Sequence, residues 1–334
     1  MTGAATKAGI TAVTVTYGDR WCYLEVLLRH LEDEELVCDV VVVDNASKKN
    51  IAESCVSSGF TKARVIRQAK NLGSAGGYKI GIESANALSN DYIMLYDDDV
   101  VTSLGSLERL LHDFTDLTNK RLPDTVAIMA YRESQHGKLI LRDHPYILAD
   151  HHFLGLNIFN FFQRRLFANS NKLLVSTPNI ASQNWGAAYA GLFFHKSLIA
   201  AIGLPDPEFV VYYDDVEFTS RLLKKGGEIW LDMEASCEDL CTNYSMGVVT
   251  LPFFGYLFAD SDAKVFYLIR NRIYFDMYSI GVRSAFYFIN MMVFVAIILT
   301  IGLLTMRINR LKIILSAIIH GCNGKMGIHH LHQL

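Results

Sequence analysis

Tyr92-Ile93-Met94-Leu95-Tyr96-Asp97-Asp98-Asp99-Val100-Val101 is an apolar run that breaks on three consecutive acids and then resumes. It is short and continuous, as expected of a strand buried on both faces. Three carboxylates this close repel one another, so they require a compensating cation or a wet cleft. In open α/β sheets, ligands bind beyond the carboxyl ends of the strands. The triplet therefore reads as a ligand site. Hard oxygen donors there suit Mg²⁺ or Mn²⁺, which keeps several waters and shares its shell with substrate phosphates. A solvated turn after a strand is the plain alternative.

Upstream, the same pattern of strand and polar turn recurs. Ile10 to Tyr17 is β-branched, and Trp21 to Leu36 has helical spacing with Leu24, Leu27, Leu28 and Leu31 on one side. Val40 to Val43 runs into Asp44-Asn45-Ala46-Ser47, and Ala63 to Arg67 gives a third strand. Strands alternating with helices predict a mostly parallel sheet covered on both faces. After the third strand, Asn71-Leu72-Gly73-Ser74-Ala75-Gly76-Gly77 opens a helix. Glycines at a helix N-terminus let backbone N–H groups approach a phosphate, which makes Asn71 and Gly73 candidate contacts. The spacing matches neither a Walker loop nor a dinucleotide fingerprint, and tight helix–sheet packing calls for the same residues.

The chain has 334 residues, of which 51% are hydrophobic and 19% charged, with a net charge of −3. This is room for one large α/β domain with an appendage. The charge gives no case for nucleic-acid binding. A mean hydropathy of +0.21 is high for a cytosolic protein and points to a membrane or a large partner. The scattered cysteines show no paired CxxC spacing, which favours a reducing compartment, and Met1 to Lys7 lacks the apolar core of a signal peptide.

In the second half, Tyr212-Tyr213-Asp214-Asp215-Val216-Glu217-Phe218 carries three more acids. Glu217 and Arg221 are placed to pair along a helix, and a cap explains one of the aspartates. Asp215 is a candidate general base in a chain that already holds a metal-type cluster. In Asn184-Trp185-Gly186-Ala187-Ala188, Trp185 is either core or a platform on which a sugar ring stacks. His320, His329, His330 and His332 crowd the tail without carboxylates among them and read as surface or interfacial. Ser284 to Met306 has no charged residue and is flanked by Arg283, Arg307 and Arg310. It is long enough to span a bilayer, or to lie at its surface as a hairpin with Leu311 to Ile319 that keeps the basic residues at anionic headgroups. A buried core helix is the third possibility.

In order and spacing these blocks resemble the family-two glycosyltransferases of the GT-A fold. They run through Thr16-Tyr17, Val43-Asp44-Asn45-Ala46-Ser47, Asn71-Leu72-Gly73, Asp97-Asp98-Asp99, Asn184-Trp185-Gly186, Asp214-Asp215-Val216-Glu217 and Tyr267-Leu268-Ile269-Arg270-Asn271-Arg272. The nearest likeness is to bacterial galactofuranosyltransferases, with rhamnosyltransferases as neighbours. The resemblance implies a Rossmann-like domain over 1–280, with a nucleotide-sugar half at about 8–120 and an acceptor half at about 121–280, then an apolar, basic helical region over 281–334. It implies inverting, Mn²⁺- or Mg²⁺-dependent transfer from UDP-galactofuranose, or from dTDP-rhamnose in the runner-up reading, to a lipid-linked glycan. The place implied is the cytoplasmic face of the bacterial inner membrane, as a peripheral or monotopic protein building surface polysaccharide. By analogy, Thr16, Tyr17 and Asp44 bind uridine. Asp97 and Asp98 contact the donor, Asp97 and Asp99 hold the metal, and Asp215 with Asp214 serves the acceptor hydroxyl. Trp185, Asp214 and Glu217 then line the acceptor side. One departure stands out: where many relatives have a metal-shell histidine, this chain reads Glu234-Ala235-Ser236-Cys237-Glu238-Asp239-Leu240. An inactive homologue serving as an assembly partner is the alternative of another class. A nucleotidyltransferase is disfavoured because Thr16-Tyr17-Gly18-Asp19-Arg20 is too poor in glycine.

Overall fold

The computed structural model describes residues 9–137, 152–158, 180–183, 186–241 and 253–329. The chain forms two compact units: Met1–Pro145 with Ser176–Pro207 and Asp214–Thr242, and Tyr146–Val175 with Glu208–Tyr213 and Asn243–Leu334.

The first unit is built on a mixed sheet. Strands β1 (Ile10–Thr16), β2 (Val37–Asp44), β3 (Ala63–Arg67) and β4 (Tyr92–Asp97) pair in parallel in the order β3-β2-β1-β4. The sheet continues through β8 (Leu192–His195), β6 (Val126–Arg132), β9 (Glu228–Asp239) and β5 (Val100–Thr102), with β7 (Ile180–Gln183) on β9. β8 runs antiparallel to both β4 and β6, and β6 is parallel to β9. It follows that β1, β2, β3, β4, β6 and β9 all deliver their carboxyl ends to one edge. β9 loses register between Asp232 and Ser236, and the Asp232 carboxylate accepts the Glu234 and Ala235 N–H groups there.

The continuous valine run of β2 follows from burial on both sides. Val40 and Val42 pack with α1 (Trp21–Asp33) and α4 (Ser106–Thr118), through Leu24, Leu27, Leu28, Leu31, Leu107 and Phe114. Val41 and Val43 face α3 (Gly73–Asn86), alongside the cluster that takes in α5 (Ser197–Ile202) and α6 (Asp214–Lys224). A period of two in a strand does this without any polar interruption. The short α2 (Ile51–Ser57) is capped by the Asn50 side chain. The glycines of α3 serve close packing: a Cβ on Gly77 would lie 2.5 Å from Val15, and one on Gly81 would lie 2.5 Å from Val13.

In the second unit, α7 (Asp262–Tyr274) packs with α8 (Ala285–Leu304) and α9 (Ile308–Cys322) around one apolar cluster. α8 buries Tyr287, Asn290, Phe294, Ile298 and Gly302 along one face. Gly302 lets Leu311 approach, since a Cβ there would meet its side chain at 2.4 Å. The other face of α8 leaves Phe286, Ile289, Met292 and Leu303 exposed. Among the described residues, α8 is the one helix long and apolar enough to cross a membrane.

Candidate active site

The strand edge of the first unit gathers the acids and their counter-charges. Thr16 ends β1, Asp44 ends β2, Asp97 ends β4, Arg132 ends β6 and Asp239 ends β9. The three triplet side chains differ in exposure: 41% for Asp97, 4% for Asp98 and 7% for Asp99. Asp97 is the member that reaches solvent. Its carboxylate accepts from Tyr78 Oη at 3.1 Å and faces Arg132 at 3.2 Å, while Tyr78 also donates to the Tyr96 carbonyl. Arg132 is shared with Asp239, to which its Nε donates at 2.9 Å.

Asp98 turns inward. It accepts from Thr16 Oγ1 at 2.7 Å and from Arg20 Nε at 2.8 Å. Burial pushes its carboxyl up to about 6, against the lowering pull of Arg20. The same guanidinium reaches Asp99 at 2.7 Å and lies over the Tyr17 and Tyr23 rings. The cation that the triplet demands is thus supplied in part by Arg20 and Arg132, two residues beyond the candidates named from the sequence. Both follow the rule that picked the aspartates, since each sits at or just past the carboxyl end of a strand.

Two turns join the nucleotide-side candidates. The Asp44 carboxylate has no exposed surface; it accepts the Ser47 N–H at 2.7 Å and pairs with Arg67. It therefore shapes the turn rather than facing solvent. Asn45 donates to Asn71 Oδ1 and to the Gly73 carbonyl, and accepts the Leu72 N–H. Asn71 Oδ1 in turn receives the N–H of Gly73, whose φ of +75° suits glycine. Tyr17 is 43% exposed, with the Arg20 guanidinium over its ring.

Asp214 and Asp215 open α6. Asp214 is buried and accepts from Ser74 Oγ at 2.9 Å. Burial, followed by the charge of Asp215, raises its pKa well above the ordinary carboxylate range. Asp215 keeps some accessible surface, and one of its oxygens accepts the Val216 N–H at 2.7 Å. Its pKa is also raised, mainly by burial and further by the charge of Asp97, so the two carboxylates sense each other. Glu217 gives its carboxylate to Arg221, which also donates to the Ile202 and Leu204 carbonyls. Asn184 and Trp185 lie outside the described residues.

In the stretch lacking a histidine, burial pushes the Cys237 thiol up to about 12, so it makes a poor thiolate donor. Glu238 accepts from Ser103 Oγ, and Asp239 is the member that shares an arginine with the triplet. Among the described residues, no three His, Cys, Asp or Glu side chains are grouped to hold a metal. The donor chemistry nevertheless fits a cation that needs one or two carboxylates, with phosphate and water completing its shell. Asp97, Asp98, Asp99 and Asp239 share two guanidiniums, leaving within this cluster the negative charge that one divalent ion neutralises.

Comparison with known proteins agrees with this architecture. Residues 11–144 match the model of glycosyl transferase family 2. The chain is 24% identical over 268 residues to galactofuranosyltransferase GlfT1 of Mycolicibacterium smegmatis, covering 79% of this chain and 82% of that one. It is 26% identical over 242 residues to GlfT1 of Mycobacterium tuberculosis, covering 70% and 71%. In fold it is similar to the crystal structure of GalNAc-T7 with UDP, GalNAc and Mn²⁺, with a TM-score of 0.51 and 12% identity. That match covers 71% of this chain and 44% of the other. The α/β fold is GT-A-like, residues 11–144 are similar to glycosyl transferase family 2, and the chain is a glycosyltransferase.

Proposed function

We propose that this glycosyltransferase moves galactofuranose from UDP-galactofuranose to a lipid-linked glycan, with inversion and with Asp215 as the base. The observation that carries the reading is the difference in surroundings between Asp214 and Asp215 at the start of α6, the first buried and the second partly exposed. Two adjacent aspartates have raised pKa values, one buried on Ser74 and one accessible and sensitive to Asp97. Pairs of titratable groups pushed apart by their surroundings mark acid and base roles. Asp214 is buried with Ser74 Oγ bonded to it, which leaves Asp215 as the carboxylate of the pair that an acceptor hydroxyl reaches. Asp215 then takes the proton of the acceptor hydroxyl, whose oxygen bonds to the anomeric carbon as the bond to the diphosphate breaks and UDP leaves with the electron pair. A single carboxylate suffices for one such displacement, in contrast to a retaining glycosidase.

Asp97 and Asp99 would hold Mn²⁺ or Mg²⁺, which would neutralise charge on the leaving diphosphate. The part-exposed Tyr17 ring would meet the uracil, while Thr16, Asp44, Asn71 and Gly73 shape the adjoining turns. Asp98 orders the site through Thr16 and Arg20. Trp185 and Glu217 are assigned to the acceptor side, Glu217 by way of Arg221. The exposed apolar face of α8, with Arg307 and Lys312 exposed after it, supports residence at the cytoplasmic membrane surface. Similarity to the two mycobacterial galactofuranosyltransferases supports the donor.

Membranes carrying the protein, given UDP-galactofuranose or dTDP-rhamnose separately with Mn²⁺, test the donor. Nucleotide release from UDP-galactofuranose alone is expected; turnover of dTDP-rhamnose instead would overturn the assignment.

A further inference from the structure

We propose that Arg20 is a resident counter-cation that occupies Asp99 until a diphosphate arrives, so that the divalent ion and the donor bind together rather than in sequence. The inference rests on the proposed use of a divalent cation and concerns how the chain controls it.

Arg20 is anchored on the Asp98 side. Its Nε reaches both Asp98 oxygens at 2.8 and 3.0 Å, one terminal nitrogen lies 2.8 Å from the same carboxylate, and Thr16 holds Asp98 from the other flank. Tyr17 and Tyr23 pack against the guanidinium. A single contact, at 2.7 Å, ties it to Asp99. That contact can break while the Asp98 anchor stays, freeing the Asp99 carboxylate with little rearrangement. Arg132 does the same for Asp97 only in part, because it is divided between Asp97 and Asp239. A divalent ion arriving alone must displace Arg20 from Asp99 and then share a small space with a positive charge. A diphosphate arriving with it offers the displaced guanidinium a new anionic partner, for which arginine's planar fork is suited. No donor means weak metal binding; donor present means both bind.

The test reads metal binding rather than turnover. Mn²⁺ affinity is measured by electron paramagnetic resonance on the full-length protein, without nucleotide and then with UDP. Arg20→Gln should raise nucleotide-free Mn²⁺ affinity on the order of tenfold, since one positive charge beside the ion is gone. Arg20→Lys, which keeps the charge, should stay near the wild type. A merely structural role for Arg20 would lower affinity or leave it unchanged. Folding is checked by circular dichroism, and Arg20→Met, which keeps the buried stem, replaces the Gln variant if that fails to fold. Equal nucleotide-free affinity in the wild type and the uncharged variant overturns the inference and leaves the metal reading standing. Mn²⁺ that binds none of the proteins even with UDP overturns both.

Discussion

Asp215→Asn is expected to lower kcat by a factor on the order of 10³, within the 10²–10⁴ that a positioned general base supplies, while Asp214→Asn lowers it less than about tenfold. The two residues are neighbours and both are acids, yet their surroundings separate them. Asn at 215 can still accept the Val216 N–H and so preserves the start of α6, but it cannot take a proton. Asn at 214 replaces a buried group whose pKa burial raises, and it can still accept the hydrogen bond from Ser74. The pH profile follows from the same raised pKa. The base works only when deprotonated, so kcat/KM should fall as pH drops through the Asp215 pKa. That acid limb should lie above the ordinary carboxylate value of about 4. Steady-state kinetics of the two variants and a pH series on the wild type check both statements. Equal losses at 214 and 215 would remove the assignment of roles.

The second large effect is on stability, at Asn271. This residue is fully buried on α7, and its amide nitrogen donates to the carbonyls of Phe209, Val211 and Tyr212, each at 2.8 Å. The loop it holds contains three residues in the left-handed region without being glycine: Val210 at +67°, Tyr212 at +67° and Tyr213 at +63°. Such conformations cost on the order of 1–2 kcal/mol each and persist only when neighbours impose them. Asn271→Ala strips the donors and should destabilise the second unit by about 3 kcal/mol. Asn271→Asp is nearly isosteric and should be worse, because it points carboxylate oxygens at carbonyl oxygens. Hydrogen exchange at the amides of 210–213 should accelerate in both. Protection equal to the wild type in Asn271→Asp would show that the loop holds itself.

Much of the first unit was legible because local pattern and global burial coincide there. The apolar runs at 10–17, 40–43, 63–67 and 92–96 became β1 to β4, and the leucine face at 24–31 became the buried face of α1. The rule that ligands sit at strand carboxyl ends located Thr16, Asp44 and Asp97 correctly as strand termini. The pairing of β8 between β4 and β6 and the register break in β9 depend on contacts between residues far apart in the chain, which no periodicity encodes. Counter-charges were illegible for a related reason. Three adjacent aspartates announce a need for positive charge, but the chain offers 31 lysines and arginines. The strand-end rule narrows the choice to residues such as Arg20 and Arg132, but only the folded chain shows that these two lie against the triplet. The glycine-rich turn was legible as a motif and ambiguous in purpose. Geometry shows that Gly77 and Gly81 admit α3 to the sheet, whereas Gly73 belongs to the turn tied to Asn45 and Asn71.

The central claim is a single displacement assisted by one carboxylate, and the configuration of the product reports on it most directly. Membranes carrying the wild-type protein are incubated with UDP-galactofuranose and Mn²⁺, and the anomeric configuration of the new linkage is read by NMR. Transfer to the membrane acceptor with configuration opposite to that of the donor is expected. Retained configuration, or hydrolysis of the donor with no transfer, would contradict it.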